Sequence, residues 1–595
     1  MEQEIILGLS LILVLGGAAQ WLAWRFHFPS ILLLLIVGFI AGPVTGVIQP
    51  EKLIGEGLFA FISLAVAVIL FEGGLSLRFS QIKGVGKVVR NLIGIGLLVT
   101  WLLSAAAAML FLDLDWRLAL LLGAVLTVSG PTVIIPILRH IRPSPKIGSV
   151  LRWEGILVDS LGALLAIIVF EGITRSAGGG FAFTFMAIVK TVLIGGGSGL
   201  LAAGFIVLVL KRYWIPDFLH VSVALMTVIT VFLVDNRLQL ESGLLAVTVM
   251  GIALINQRKV SVEHIVEFKE NLRTLLISAL FITLAARLHI SDLQFVNVGS
   301  VLFILALLLV VRPIVVALST RNSEFTMKER AFLATVYPRG IVAAAVASIF
   351  AVRLLEMEYP GAESFEPLAF IAVAGTVAVY GLFSLPLARR LGVASPNPQG
   401  VLLIGADYWI RKTAIALQDA GVTVKLVDDH WVNVNKAKQA GLSAEYVQSF
   451  HEFLADEVEL GDIGHVLAMS SSDELNSMVT LHLIHAFGRK NVYQLTVDVP
   501  NPEQIDPTAP QYAGRFLFGP TLTFQKLDEQ FALGADIQST DLTAEYTYAD
   551  FVDSFVTGSV VPLFHIDANN KVTVATADPA FNIKGTGRLI ALVRI

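Results

Sequence analysis

Four ionisable residues stand inside stretches too apolar to be loops: Glu72 in Leu70-Phe71-Glu72-Gly73-Gly74, Glu154 and Asp159 in the run Trp153 to Ser160, and Arg339 in Tyr337-Pro338-Arg339-Gly340. A charge at the centre of a bilayer costs several kcal/mol unless it faces a cavity or a partner, so each is either paired or at work. The five-residue step from Glu154 to Asp159 turns roughly 140° around a helix, so the two carboxylates do not share one ligand set at full strength: one carries an ion and the other braces. Asp159 is the candidate for the titrating carboxylate, because no charge neighbours it and Ser160, Gly162 and Ala163 follow it and allow close helix approach. Glu72, just before Arg78, reads as a brace. Arg339 is expected to neutralise Glu72 or Glu154, a structural role, since a fixed cation beside a cation site repels its cargo. A carboxylate held in a dry cavity can take either a proton or a monovalent cation, and the chemistry open to such a site is their exchange.

The elements that must position these residues are membrane spans. Hydrophobic residues make up 55% of the 595 and charged ones only 15%, where soluble domains carry about 25%. Apolar runs long enough to cross a bilayer fall near residues 5–24, 29–48, 57–77, 91–112, 118–138, 147–170, 181–210, 215–234, 240–256, 272–288, 295–318, 330–354 and 364–388. The first follows the acidic Met1-Glu2-Gln3-Glu4, lacks a basic flank and reads as a retained span rather than a signal peptide. Alternate loops carry the basic residues, among them Arg78, Lys83, Lys87 and Arg90, then Arg139, Arg142 and Lys146, and finally Arg389 and Arg390. The loops between hold Glu51, Asp113, Asp115, Asp235, Asp292 and Glu356. By the positive-inside rule the N-terminus lies outside and the C-terminal part in the cytoplasm, as an odd number of spans requires. The bacterial inner membrane is the expected location.

Two spans are interrupted in corresponding ways, by Ser129-Gly130-Pro131 and by Tyr337-Pro338-Arg339-Gly340. Matched Gly/Pro interruptions point to inverted repeats whose broken helices meet near the midplane and help to hold an ion. Thr127, Thr132 and carbonyls freed before Pro131 supply the oxygen that a hard cation prefers.

At these residues the sequence resembles the monovalent cation/proton antiporter superfamily, in the branch of bacterial NhaP-type sodium/proton antiporters and animal NHE exchangers. The marks are Leu70 to Leu75, Ser129-Gly130-Pro131 where the family has Thr-Asp-Pro, Glu154 to Asp159 where it has Glu-Ser-x-x-Asn-Asp, Ser242-Gly243, and Pro338-Arg339-Gly340. The resemblance implies an NhaA-like all-α polytopic membrane domain over residues 1–391 and a homodimer whose core moves against a dimerisation domain. It also implies that Asp159 binds cation and proton by turns, with help from Glu154 and Ser129, and with Na⁺ or K⁺ as substrate. Val158, Gly130 and Gly155 depart from the pattern and remove polar groups from the site. Electrogenic members resemble one another in an acidic residue before the essential aspartate; Val158 stands there, so electroneutral exchange is expected.

From residue 399 to 508 strands and helices alternate as in a doubly wound parallel sheet, with Asp428 ending the second strand where a dinucleotide ribose is held. The segment is similar to the Rossmann-like RCK or TrkA-N domains of potassium channels and transporters. The glycine fingerprint is broken, since Ala406, Asp407, Tyr408 and Trp409 follow Gly405. A regulatory nucleotide of NAD or AMP type at Gly405, Asp407 and Asp428 is the weaker expectation, and a structural or dimerising role the stronger. Residues 509–595 read as a small β-rich subdomain. No cofactor is required. A net charge of -5 without a basic patch speaks against nucleic acid, and the absence of cysteine excludes thiolate chemistry. A gated channel needs a filter such as Thr-Val-Gly-Tyr-Gly, and a nicotinamide enzyme an intact fingerprint and a catalytic dyad; the sequence offers neither.

Overall fold

The computed structural model describes the chain except residues 1, 27, 83, 142, 175–180, 240–241, 258, 395–397, 448–462, 498–513, 520, 557–558, 569, 577–584 and 595. Some helical side chains, those of Pro131 and Thr132 among them, also lie outside the description. The chain divides into two compact units, Met1–Ala394 and Ser395–Ile595.

The first unit is helical. Among the described residues seven helices are long and apolar enough to cross a membrane: Ile5–Phe26, Gly86–Leu112, Pro145–Thr174, Val189–Lys211, Asp217–Leu238, Val298–Ser319 and Ala362–Leu391. Shorter apolar helices, Ser30–Val44, Leu58–Gly74, Trp116–Val125, Ser242–Asn256 and Leu272–Ala286, pack among them. The two interruptions read from the sequence are real breaks. Trp116–Val125 stops and Pro131–Ile141 begins; Met327–Leu333 stops and Ile341–Glu356 begins. Pro131 and Pro338 have no N–H to continue a helix and push the residue before them out of the α region. The last turn before the first break tightens, Thr127 N–H donating to the Ala124 carbonyl and Val128 N–H to that of Val125, at 3.1 and 3.2 Å.

The second unit holds two sheets. Strands β1 (Gly400–Ile404), β2 (Val424–Asp428), β3 (Ser443–Tyr446), β4 (Ile463–Ala468), β5 (Val492–Gln494) and β6 (Arg515–Phe516) pair in parallel in the order 3-2-1-4-5-6. That is the order of doubly wound α/β sheets, and β1 and β4, buried along their length, form its centre. Strands β7 (Asp536–Leu542), β8 (Val560–Asp567), β9 (Val572–Val574) and β10 (Gly587–Val593) make an antiparallel sheet in the order 7-10-8-9.

Candidate functional site

The two breaks touch. The Tyr337 hydroxyl donates to the Thr127 carbonyl at 2.8 Å, and Gly340 N–H points at the Val128 carbonyl, 3.4 Å away. A methyl group on Gly340 would stand 2.5 Å from the Gly130 nitrogen, so the crossing closes only around glycine. Half-helix ends and unwound carbonyls therefore meet inside the helical unit, as the matched interruptions predict.

Asp159 lies on the helix Pro145–Thr174 and is 1% exposed. Its flanking glycines fix the direction of its face. A Cβ on Gly155 would run into Ile134 Cδ1, and one on Gly162 would stand 2.7 Å from Thr127 Oγ1 and 3.1 Å from the Val128 nitrogen. Asp159 follows Gly155 by four positions and precedes Gly162 by three, so all three share one face. That face packs on the first break, and Asp159 comes level with the stretch between Val128 and Ile134 that contains Ser129. Neither oxygen of Asp159 has a hydrogen-bond partner among the described residues, and neither does Ser129 Oγ, although the Tyr337 hydroxyl lies near it. The Thr127 hydroxyl donates to the Ala124 carbonyl at 2.7 Å, which leaves its oxygen free to accept. Beside Asp159, Ser160 and Thr248 share a hydrogen bond of 2.8 Å between their hydroxyls. A buried carboxylate with no donor is costly as a bare anion, and a proton or a cation relieves that cost. The expected ligand Thr132 has its side chain outside the described residues.

The ion pairs differ from those expected. Glu154 is held by Arg312, not Arg339: Nη1 donates to Oε1 at 2.5 Å and Nη2 to Oε2 at 2.9 Å, with both side chains 2% exposed. Arg312 also donates from Nε to the Leu333 carbonyl at 3.0 Å and lies over the Tyr337 ring. A planar fork thus ties Glu154 to the carbonyl ends of the second break, and the planarity is why arginine suits the place. Both oxygens of Glu154 are engaged by Arg312. Glu72 is likewise bonded to Arg273, Nη1 to Oε1 at 2.9 Å, and not to Arg339. Arg339 is buried, lies over the same Tyr337 ring at 4.7 Å from its centroid, and has no hydrogen-bond partner at Nε or Nη1 among the described residues.

Sequence reasoning missed Arg312 and Arg273. The signal for Arg312 was a lone arginine in the apolar run from Leu307 to Leu318, the same signal that picked out Arg339. Asp235, read as a loop residue, is buried near the end of the helix His220–Leu238, where the Ser198 hydroxyl donates to it.

In the second unit Gly405 closes β1 with φ +108°, a conformation that favours glycine. Asp428 is turned inward. One oxygen accepts from Ala406 N–H and the other from His430 N–H, both at 2.6 Å, and Asn433 bridges Asp428 and Asp407 at 3.4 and 3.2 Å. The carboxylate expected to hold a ribose is already bonded to its own backbone. Burial and the nearby Asp428 charge push the Asp407 carboxyl above its ordinary range.

Comparisons with known proteins bear on the helical unit. The Na(+)/H(+) antiporter 1 of Methanocaldococcus jannaschii is 28% identical over 374 residues, 60% of this chain and 85% of that protein. The K(+)/H(+) antiporter NhaP of Alkalimonas amylolytica is 26% identical over 404 residues, 66% of this chain and 68% of that one. The structure of the sodium proton antiporter MjNhaP1 from Methanocaldococcus jannaschii at pH 8 superposes with a TM-score of 0.58 at 25% identity, over 65% of this chain and 98% of its own. These relatives are transporters, not enzymes. The model of the transmembrane sodium/hydrogen exchanger family matches residues 10–390, well over half of the chain, and the protein belongs to that family.

Proposed function

We propose that this protein is a secondary antiporter exchanging Na⁺ or K⁺ for H⁺ by alternating access, one for one, with Asp159 as the shared site. The observation that carries the reading is the Asp159 carboxylate: buried, on the face packed against the first break, and with both oxygens unpartnered among the described residues. The similar proteins named as Na⁺/H⁺ and K⁺/H⁺ antiporters support both candidate cations. The stoichiometry is supported by Val158 before Asp159 and by Glu154, whose two oxygens are bound by Arg312 and are not free to carry a second proton. Ser129 and Thr132 complete the ligand set, and Glu72 braces the core through Arg273. The protein works as a homodimer in the inner membrane, N-terminus outside, with the second unit an RCK-like cytoplasmic domain that biases the membrane core.

The test is Asp159→Asn in proteoliposomes, scanned across Li⁺, Na⁺ and K⁺. The amide cannot take up and release the coupling proton, so cation-dependent proton flux disappears while the protein stays monodisperse. Flux that survives in the variant refutes the assignment.

A further inference from the structure

Arg339 carries a charge that no described residue cancels. Glu154 and Arg312 neutralise each other through two hydrogen bonds, and Glu72 is bonded to Arg273. Asp159 and Arg339 remain, buried at the broken-helix region and each outside every described ion pair. The guanidinium keeps its proton at any pH the protein meets. It also belongs to the same body as the ion site. Arg339 directly precedes Gly340, which is packed on Gly130, and it lies over Tyr337, whose hydroxyl is bonded to the first break.

The charge of that body then depends on what Asp159 holds. With Asp159 bare, Asp159 and Arg339 sum to zero. With Asp159 carrying either H⁺ or a monovalent cation, the sum is +1. We propose that Arg339 is a fixed charge that makes each crossing of the loaded carrier sensitive to the membrane potential, while the full cycle moves no net charge. The proposal rests on Asp159 being the shared site.

The consequence is a kinetic signature distinct from both plain electroneutral and electrogenic exchange. One loaded form crosses inward and the other outward, both at +1, so a potential of either sign speeds one step and slows the other. If the charge crosses the whole field, 100 mV shifts the ratio of the two rate constants by about 50-fold. With barriers halfway and matched steps, turnover falls by about threefold at 100 mV of either sign. The final ion gradient does not move.

The experiment uses the full chain in proteoliposomes with Na⁺ as cargo and the potential set by a gradient of the lipophilic cation tetraphenylphosphonium. Wild type is expected to give a turnover maximum near zero potential and a potential-independent final gradient. Arg339→Lys keeps the maximum; Arg339→Gln flattens it while exchange continues. A flat profile in wild type, an unchanged maximum in R339Q, or R339Q that folds but cannot exchange at any potential each overturn the proposal. If R339Q does not fold, the wild-type and R339K profiles decide it, a flat profile in either being the refutation. Exchange surviving in Asp159→Asn sinks the reading of the site instead, whatever the voltage profile.

Discussion

Replacing Arg312 with alanine removes more than one contact. Glu154 loses both donors of its bidentate pair, the Leu333 carbonyl loses the Nε donor 3.0 Å away, and the Tyr337 ring loses the guanidinium over its face. Removing one partner of a buried pair costs about 3–5 kcal/mol, because the remaining charge is stranded. A carbonyl left without its donor adds about 1–3 kcal/mol where water cannot reach it. The loss is therefore on the order of 5 kcal/mol, which at roughly 2 °C per kcal/mol for a large domain lowers the unfolding temperature by about 10 °C. Thermal unfolding of the detergent-solubilised protein, followed by monodispersity after heating, measures it. Arg339→Ala breaks no described ion pair and shifts the midpoint far less. A second arm is the pair Arg312→Met with Glu154→Leu, which removes both charges and loses less than either single change, since no ion is left behind. An Arg312→Ala protein that melts with wild type, or single losses that simply add in the double variant, would refute the pairing.

Gly340→Ala places a methyl group 2.5 Å from the Gly130 nitrogen, so the breaks must separate; exchange is expected to be lost from a protein that still elutes as a single species, and wild-type flux would count against the crossing. His465, buried in β4, has its imidazole pushed down to about 4 by burial. Between that value and the unfolded pKa of about 6.5 the unfolded chain binds a proton that the folded one refuses, so stability of the second unit falls as pH drops through this window, by up to about 3 kcal/mol. Unfolding scans from pH 7 to 4 should show the slope, and His465→Gln should remove most of it. Asp428→Ala strips the acceptor from Ala406 and His430 N–H and is expected to destabilise the second unit by about 1–3 kcal/mol while leaving cation/proton exchange intact; an unchanged midpoint would show that the carboxylate bonds are idle.

The parts of this molecule that can be read from the sequence are those that local chemistry determines. Proline alone does not end a helix here, since Pro136, Pro367 and Pro386 lie inside helices; the two breaks are legible because glycine and proline fall together at corresponding places in two spans, in Ser129-Gly130-Pro131 and Tyr337-Pro338-Arg339-Gly340. The alternation from Gly400 onward marks β1, β2 and β4 for the same kind of reason, their runs being apolar on both faces. Asp159 stands out because an isolated acid among small residues has few structural uses in a membrane. Who pairs with whom is another matter. Arg339, Arg312 and Arg273 are all arginines in apolar surroundings, and nothing within a few residues of any of them says that Glu154 faces the second and Glu72 the third. The choice is made by the crossing of helices far apart in the chain. Asp428 is legible in part: the acid at the end of the second strand can be read, but the loop after Gly405 that turns Ala406 N–H onto it is a backbone direction, which leaves no mark in side-chain types.

The Glu154–Arg312 pair spans 158 residues of chain, and that separation has a meaning during synthesis. At about 5–20 residues per second the ribosome needs roughly 8–30 s to travel from one to the other. For that time the helix Pro145–Thr174 has emerged with an acid whose partner does not yet exist. A bare carboxylate cannot simply be left among lipid tails, so the nascent helix must linger where water or the insertion machinery can shelter Glu154, or enter the bilayer with that carboxyl protonated. The helix carrying Arg312 then completes the pair after its own emergence. Assembly of the core is thus timed by the later segment, and a chain cut short before residue 312 should be handled by the cell as unfinished, however many of its apolar segments have already been made.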